Sequence, residues 1–287
     1  MSNWQNKIAV VTGAGSGIGA GLARYCAAQG MQVIACDIST EGLAELTKSA
    51  ANHGANIHPQ VLDVRVADDV EKLAEKVFDE YGHVSLLFNN AGVLVDGKSW
   101  ERSTRDWQWI IDVNVMGVIH GIRSFVPRML AQGQAGRVIN TSSIGGLLGG
   151  GAYMAPYQGT KHMVTALSET LYQELQLEDA PITASVLCPG EVITGIWESD
   201  RLRPEEEHNV LASEAERQSH DQIAGSVAAG LTPDHFAQLA FQGIEADKFW
   251  LLPQPQFKPL LDKRHQSITE ESNPLGMAEL MGLFENE

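Results

Sequence analysis

Short runs at residues 7–12 (KIAVVT), 32–36 (QVIAC), 57–62, 85–89 (SLLFN), 137–141 (RVINT) and 183–187 (TASVL) are mostly apolar, without the alternation of a half-solvated strand. Longer amphipathic segments separate them, at 18–29, 40–51, 67–80, a long region from about 104 to 131, and 157–177. In the first of these Ile18, Leu22 and Cys26 share one stripe and Gly30 ends it; in the second Leu43 and Leu46 face inward. Residues 249–252 read as a seventh strand. Strands apolar on both faces need cover on both faces, and strands linked by helices run parallel. The pattern therefore predicts an α/β fold, a doubly wound parallel sheet. With no internal repeat and no linker, residues 1–287 read as one domain with a sizeable core.

Two regions break the rhythm. Residues 198–230 are polar, rich in Glu and contain Pro204. They follow the sixth strand at the carboxyl edge of the sheet, where ligands bind in such folds, so a helical lid over about 195–230 is expected rather than a merely solvated insertion. The tail, about 257–287, carries Leu260, Leu261, Met277, Leu280, Met281, Leu283 and Phe284, and packs on the body or on a neighbouring subunit.

A formal net charge of −16 argues against nucleic acid or an anionic membrane as partner. No uninterrupted apolar run approaches the roughly 20 residues of a membrane span, and no signal peptide is visible, so a cytoplasmic location is expected. Cys26, Cys36 and Cys188 form no CxxC pair and read as small core residues, and the histidines, His120 and His162 among them, show no metal spacing. No metal is expected.

The link from first strand to first helix is Thr12-Gly13-Ala14-Gly15-Ser16-Gly17-Ile18-Gly19. Glycines there allow a tight turn and close approach to a pyrophosphate, and the helix N-terminus adds free N–H groups. Between a strand and a helix, phosphate binding is the better reading of a glycine pattern that is weak by itself. Asp37 ends the second strand, where an acid can accept hydrogen bonds from an adenosine ribose. Its charge would repel a 2′-phosphate, and no Arg or Lys stands at Ile38, Ser39 or Thr40, which favours NAD(H). NADP(H) stays open, because Ser39 and Thr40 could bond a phosphate if Asp37 turned away. Asp37 could instead cap the next helix, a role that Ser39 or Thr40 can also fill.

A tyrosine is a poor base at neutral pH, since its reference pKa is about 10. A lysine four residues along a helix lies on the same face, and its charge would lower that pKa. Tyr157 and Lys161 stand in this relation. From residue 7 to 194 the chain resembles the classical short-chain dehydrogenases/reductases. The loop TGAGSGIG, Asp63-Val64, Asn89-Asn90-Ala91-Gly92, Asn114 in DVNVMG, Ser143, Tyr157-x-x-x-Lys161, and Pro189-Gly190 leading to Val192 and Thr194 follow the family's order. The interval from Ser143 to Tyr157 is one residue longer than the commonest family spacing, and the glycines at 149–151 could absorb it.

The resemblance implies a Rossmann fold and a nicotinamide-dependent alcohol dehydrogenase or ketone reductase. It implies that Tyr157 is the general acid/base and that Lys161 lowers its pKa and holds the nicotinamide ribose. Ser143 would polarise the substrate oxygen, and Asn114 would hold a water linking Lys161 to solvent. Gly13, Gly15, Ser16, Gly17, Ile18, Gly19, Asp37, Asp63, Val64, Asn90, Ala91, Gly92, Tyr157, Lys161, Pro189, Gly190, Val192 and Thr194 would bind cofactor, with Asp63-Val64 at the adenine and Val192 and Thr194 at the carboxamide. A homodimer or homotetramer is implied as well.

Residues 93–99, 143–153, 189–197 and the lid are expected to line the substrate pocket. With their neighbours they offer Val93, Leu94, Val95, Ile144, Leu147, Leu148, Met154, Ile196 and Trp197, and few cations beyond Lys98, Arg201 and Arg203. A neutral, apolar alcohol or ketone is the expected small-molecule substrate. The Arg201-Leu202-Arg203-Pro204 run, GLTP at 230–233 and KFWLLPQP at 248–255 resemble a subgroup that includes bacterial Cα-dehydrogenases, which oxidise benzylic alcohols of lignin-derived aryl ethers. A steroid or 3-oxoacyl reductase is the alternative within the family. A non-catalytic nicotinamide-sensing protein is the rival from another class, against which the Asn114, Ser143, Tyr157, Lys161 set argues. An extended-type epimerase or dehydratase fits the glycine spacing and the short C-terminal region less well.

Overall fold

Seven strands form one parallel sheet: β1 (Ile8–Thr12), β2 (Gln32–Asp37), β3 (Ile57–Val61), β4 (Leu86–Asn89), β5 (Gly136–Thr141), β6 (Ile182–Leu187) and β7 (Trp250–Leu251). The computed structural model describes residues 4–51, 56–208 and 210–276. Sheet order is β3-β2-β1-β4-β5-β6-β7, so the winding reverses between β1 and β4. The crevice at that reversal, beyond the carboxyl ends of the strands, is where such a sheet can take a ligand.

Both faces of the sheet are covered, as apolar strands require. Because side chains alternate along a strand, Ala9 and Val11 of β1 face one core while Ile8 and Val10 face the other. On the first face lie α1 (Gly17–Ala28), α2 (Thr40–Ala51) and α8 (Pro233–Glu245), which contribute Leu22, Leu43, Phe236 and Phe241. On the second lie α3 (Ala67–Tyr81), α5 (Gly117–Ala131) and α6 (Ala155–Leu177), with Leu73, Phe125, Met129 and Leu171. Cys26, Cys36 and Cys188 are free and buried.

The long helical region is continuous from Thr104 to Ala131 but not uniform. It runs as α4 (Thr104–Ile111), a π-helical turn (Asp112–Met116) and α5. Periodicity alone did not disclose the wider turn. By length and composition this stretch could cross a membrane, yet 61% of its most apolar window is buried inside the protein, as in a core helix. Sequence reading also missed α8 and α9 (Lys258–Thr269). Of the apolar tail residues, Leu260 packs on the body beside Leu148 and Phe257, with Leu261 partly buried at the same cluster; Met277, Leu280, Met281, Leu283 and Phe284 lie outside the described residues.

Within 195–230, a 3-10 turn (Ile196–Leu202) leads to α7 (Glu214–Ala228). Two buried ionic contacts tie this segment down. Arg203 Nη1 donates to Asp106 Oδ1 at 2.6 Å and Nε to Asp200 Oδ1 at 2.7 Å, while its guanidinium carbon lies 4.5 Å from the Trp109 ring centre. At the start of α7, the fully buried Glu216 accepts from the Lys98 amide at 3.1 Å and pairs with Arg102 at 3.6 Å. The Ser213 hydroxyl outweighs burial there and pulls the Glu216 carboxyl down to about 2. Breaking a buried pair by removing one partner costs about 3–5 kcal/mol, because a charge is stranded. Arg203→Met is therefore expected to lower the unfolding free energy by roughly that amount, read in a urea melt at neutral pH. Wild-type stability in this variant would mean that Asp106 finds water instead.

Candidate active site

The loop after β1 is folded so closely on itself that side chains are excluded. Gly13 has φ +67°, and a Cβ there would stand 2.8 Å from Ala91 Cα. A Cβ on Gly19 would meet the Gly13 carbonyl oxygen at 2.0 Å. Ser16 precedes α1 in an extended conformation, its side chain caps nothing, and the first turn carries no acid. The opening amides of α1 are thus available to an anion, and the helix dipole favours one.

Across the reversal point, Thr12 Oγ1 accepts from the amides of Asn90 and Ala91 at 2.9 and 3.1 Å, and Asn90 Nδ2 donates to the Thr12 carbonyl at 3.0 Å. These bonds hold Asn90, Ala91 and Gly92 against the glycine loop. At the other end, Asp37 Oδ2 accepts from the Gly15 amide at 2.8 Å and Oδ1 from the Ser39 amide at 2.8 Å. Asp37 does not cap α2, because Ser39 Oγ takes the Gly42 amide at 3.0 Å. Asp63 is gripped by Arg65, whose Nη2 donates at 2.7 Å. Burial raises the Asp63 pKa, but the hydrogen bonds and charge of Arg65 outweigh it and the net direction is down.

Ser143, Tyr157 and Lys161 converge where β5 ends and α6 begins. Ser143 Oγ donates to the Pro189 carbonyl at 3.4 Å and accepts from the Gly145 amide at 3.0 Å. Lys161 Nζ donates to the Thr141 carbonyl at 3.0 Å and lies 5.7 Å from the centre of the Tyr157 ring. Burial pulls the Lys161 amine down to about 8. The expected lowering of the Tyr157 pKa is not what this geometry gives. Burial raises it, and the hydrogen bond with Ser143 opposes without reversing the direction. The lysine, turned towards the Thr141 carbonyl, does not offset the loss of water around the phenol.

Asn114 occupies the π-helical turn and does not line the cavity. Its Oδ1 accepts from the Val93 amide at 2.8 Å, and Nδ2 donates to the Val93 carbonyl at 2.9 Å and to Thr160 Oγ1 at 3.1 Å. Its Oδ1 and Lys161 Nζ both flank Gly92, where a Cβ would be 3.4 and 3.3 Å from them. Single π-turns within α-helices often mark functional positions. After β6, Gln254 staples the Pro189-Gly190 turn: Oε1 accepts from the Gly190 amide and Nε2 donates to the Glu191 carbonyl, both at 2.8 Å. Val192 pairs with Leu231, and Thr194 rests on Gly17.

One cavity of about 980 Å³ runs past all the expected cofactor residues and on to Ser143, Tyr157 and Lys161. Val93, Leu94, Ile144, Met154 and Ile196 line it as expected; Val95, Leu147, Leu148 and Trp197 do not. Val95 is buried against Trp109 and Ile110, Leu148 against Phe257, and Trp197 packs edge-on to His220. Leu202 and the α7 residues Ser219, Gln222, Ile223 and Ser226 also line it, within the 195–230 segment expected to do so; sequence reading missed Trp109 and Val113. Trp109 and Val113 are four apart on one helical face, a spacing that could have shown them. Among the three cations considered, only Arg201 faces the cavity; Lys98 pairs with Glu101 and Arg203 with Asp106. His120 Nδ1 donates to the Val64 carbonyl at 2.9 Å, in a packing role.

A family model for short chain dehydrogenases matches residues 7–205. The chain belongs to that family, and is an oxidoreductase of the nicotinamide-dependent kind. Among curated relatives, the C alpha-dehydrogenase of Sphingobium sp. strain SYK-6 is 30% identical over 276 residues, covering 96% of this chain and 89% of the relative. The CLA biosynthesis dehydrogenase/reductase of Lactiplantibacillus plantarum is 28% identical over 278 residues, covering 96% and 97%. The crystal structure of a short chain dehydrogenase/reductase from Burkholderia phymatum in complex with NAD superposes with a TM-score of 0.91 at 37% identity, covering 96% of this chain and 98% of that one.

Proposed function

We propose that this protein is an NAD(H)-preferring enzyme that interconverts a bulky, apolar or aromatic secondary alcohol and its ketone. One observation carries this: a single cavity has the Asp37 carboxylate at one end, the Ser143–Tyr157 pair further along, and an apolar wall of Leu94, Trp109, Val113, Ile144, Met154 and Leu202. The residues fit a dinucleotide. The loop glycines allow the tight turn that brings the chain against Ala91 and Asp37, and the α1 amides suit a diphosphate. Asp37, with Glu41 and Glu45 lining the same end, disfavours an added 2′-phosphate. Arg65, the nearby cation, is already held by Asp63.

A nicotinamide bound in this groove supplies or accepts the hydride. Tyr157 then gives a proton to, or takes one from, the substrate oxygen, and Ser143 donates a hydrogen bond that polarises it. Lys161 keeps a positive charge beside the phenol, and Asn114 braces the loop at Val93 on which the substrate rests. Burial holds Tyr157 protonated, which suits it to donate in the reductive direction. The relative named a C alpha-dehydrogenase supports a carbinol carbon flanked by a bulky group as the reacting centre.

Fluorescence titration with NADH and NADPH tests the cofactor reading. NADH is expected to bind at least about tenfold tighter, equivalent to about 1.4 kcal/mol, and Asp37→Ala to narrow that margin. Tighter NADPH binding by the wild type would overturn it. Turnover of aryl ketones over small aliphatic ones tests the pocket; the reverse preference would sink the substrate class.

A further inference from the structure

We propose that Arg201 is part of the dinucleotide site, its guanidinium carrying the cofactor diphosphate from the side of the lid segment. This rests on the dinucleotide reading above. The glycine loop, residues 13–19, contains no Lys or Arg. A helix N-terminus offers only about half a positive charge, against two negative phosphates. The same cavity is lined by Asp37, Glu41 and Glu45, so the anion would otherwise meet a field of its own sign.

Arg201 is placed to correct this. Its Nη1 donates to the carbonyls of Gly195 at 2.6 Å and Glu198 at 2.9 Å, which fixes the guanidinium without neutralising it. Among the described residues no carboxylate pairs with Arg201, whereas Arg203 and Lys98 nearby are each neutralised. A Cβ on Gly195 would lie 3.3 Å from Arg201 Nη2, so the fork rests against bare backbone. The preceding residue, Thr194, touches the opening of α1, for a Cβ on Gly17 would lie 2.7 Å from its Cγ2. Gly17, Thr194, Gly195 and Arg201 thus form one contiguous edge of the cavity. The cation lines the same cavity as the opening of α1, linked to it through Gly195 and Thr194, and the planar fork of arginine matches phosphate oxygens.

Calorimetric titration of wild type and Arg201→Gln with ADP-ribose, adenosine and NADH tests this. ADP-ribose carries the diphosphate without the nicotinamide; adenosine carries neither. The variant is expected to bind ADP-ribose and NADH about tenfold more weakly, to bind adenosine unchanged, and to melt like the wild type without ligand. Arg201→Lys is expected to recover part of the loss, and about 1 M salt to shrink it by screening. Unchanged ADP-ribose affinity in Arg201→Gln overturns the proposal, as does a defect confined to the KM of an acidic substrate. Failure of the wild type to bind ADP-ribose would instead overturn the dinucleotide reading, and this assignment with it.

Discussion

Tyr157→Phe is expected to lower kcat by about 10²- to 10⁴-fold, the range that a positioned acid/base contributes, while the Kd for NADH changes less than about twofold. The substitution removes one oxygen. The ring stays, and with it the packing on the cluster of Val93, Trp109 and Ile110, so the fold and the groove persist. What disappears is the hydroxyl, hydrogen-bonded to Ser143, that is proposed to exchange a proton with the substrate oxygen. Ser143 can still polarise that oxygen, which leaves a small residual rate rather than none. Stopped-flow turnover and a cofactor titration on the same preparation separate the two effects. Retention of wild-type turnover would remove Tyr157 from the chemistry. A wild type that binds NADH yet turns over no alcohol or ketone would favour the non-catalytic binding protein.

The parallel sheet was legible because burial on both faces leaves a plain mark: β1 (IAVVT) and β6 (ITASVL) are mostly apolar, without alternation, and almost wholly buried. β3 (IHPQV) was weaker, and its polar residues reflect an edge position in the sheet. The site was legible where chemistry demands fixed spacing, as in the glycine loop and the Tyr157–Lys161 pair. Boundaries set by tertiary packing were less so. The start of α8 is written locally, with Thr232 as N-cap accepting the His235 amide and Pro233 in the first turn. Its partner is not, because Gly21 of α1 makes room for the Pro233 backbone from over 200 residues away in sequence. The pocket wall shows the same limit. Val95 is as apolar as Leu94, and only the turn of the backbone after β4 sends one into the core and the other into the cavity. The direction of the Tyr157 pKa failed for a related reason: spacing gives the proximity of a lysine, whereas burial and the aim of Nζ at Thr141 are properties of the folded chain.

Lys161→Met is expected to abolish useful turnover and yet to stabilise the protein near neutral pH. The Lys161 side chain is only 3% exposed, and burial holds its pKa at about 8 against an unfolded value of about 10.5. Below pH 8 both states carry the proton, and the folded state bears the full cost of a buried charge, about 3 kcal/mol from that difference. Between about pH 8 and 10.5 the unfolded chain binds more protons than the folded one, so wild-type stability rises with pH and the cost fades. Against this stands the bond to the Thr141 carbonyl, whose loss costs about 1–3 kcal/mol. Methionine fills the space with an apolar chain and recovers part of that by burial. The balance favours the variant by about 1–2 kcal/mol at pH 7, and the advantage should vanish or reverse by pH 10 as the wild-type amine sheds its proton. Urea melts of both proteins at the two pH values read the difference directly. A variant less stable than wild type at pH 7 would show that Lys161 is held by more than the Thr141 carbonyl, and that the charge is not a burden on the fold. A gain at pH 7 accompanied by lost turnover would identify Lys161 as a residue kept for chemistry at the expense of stability.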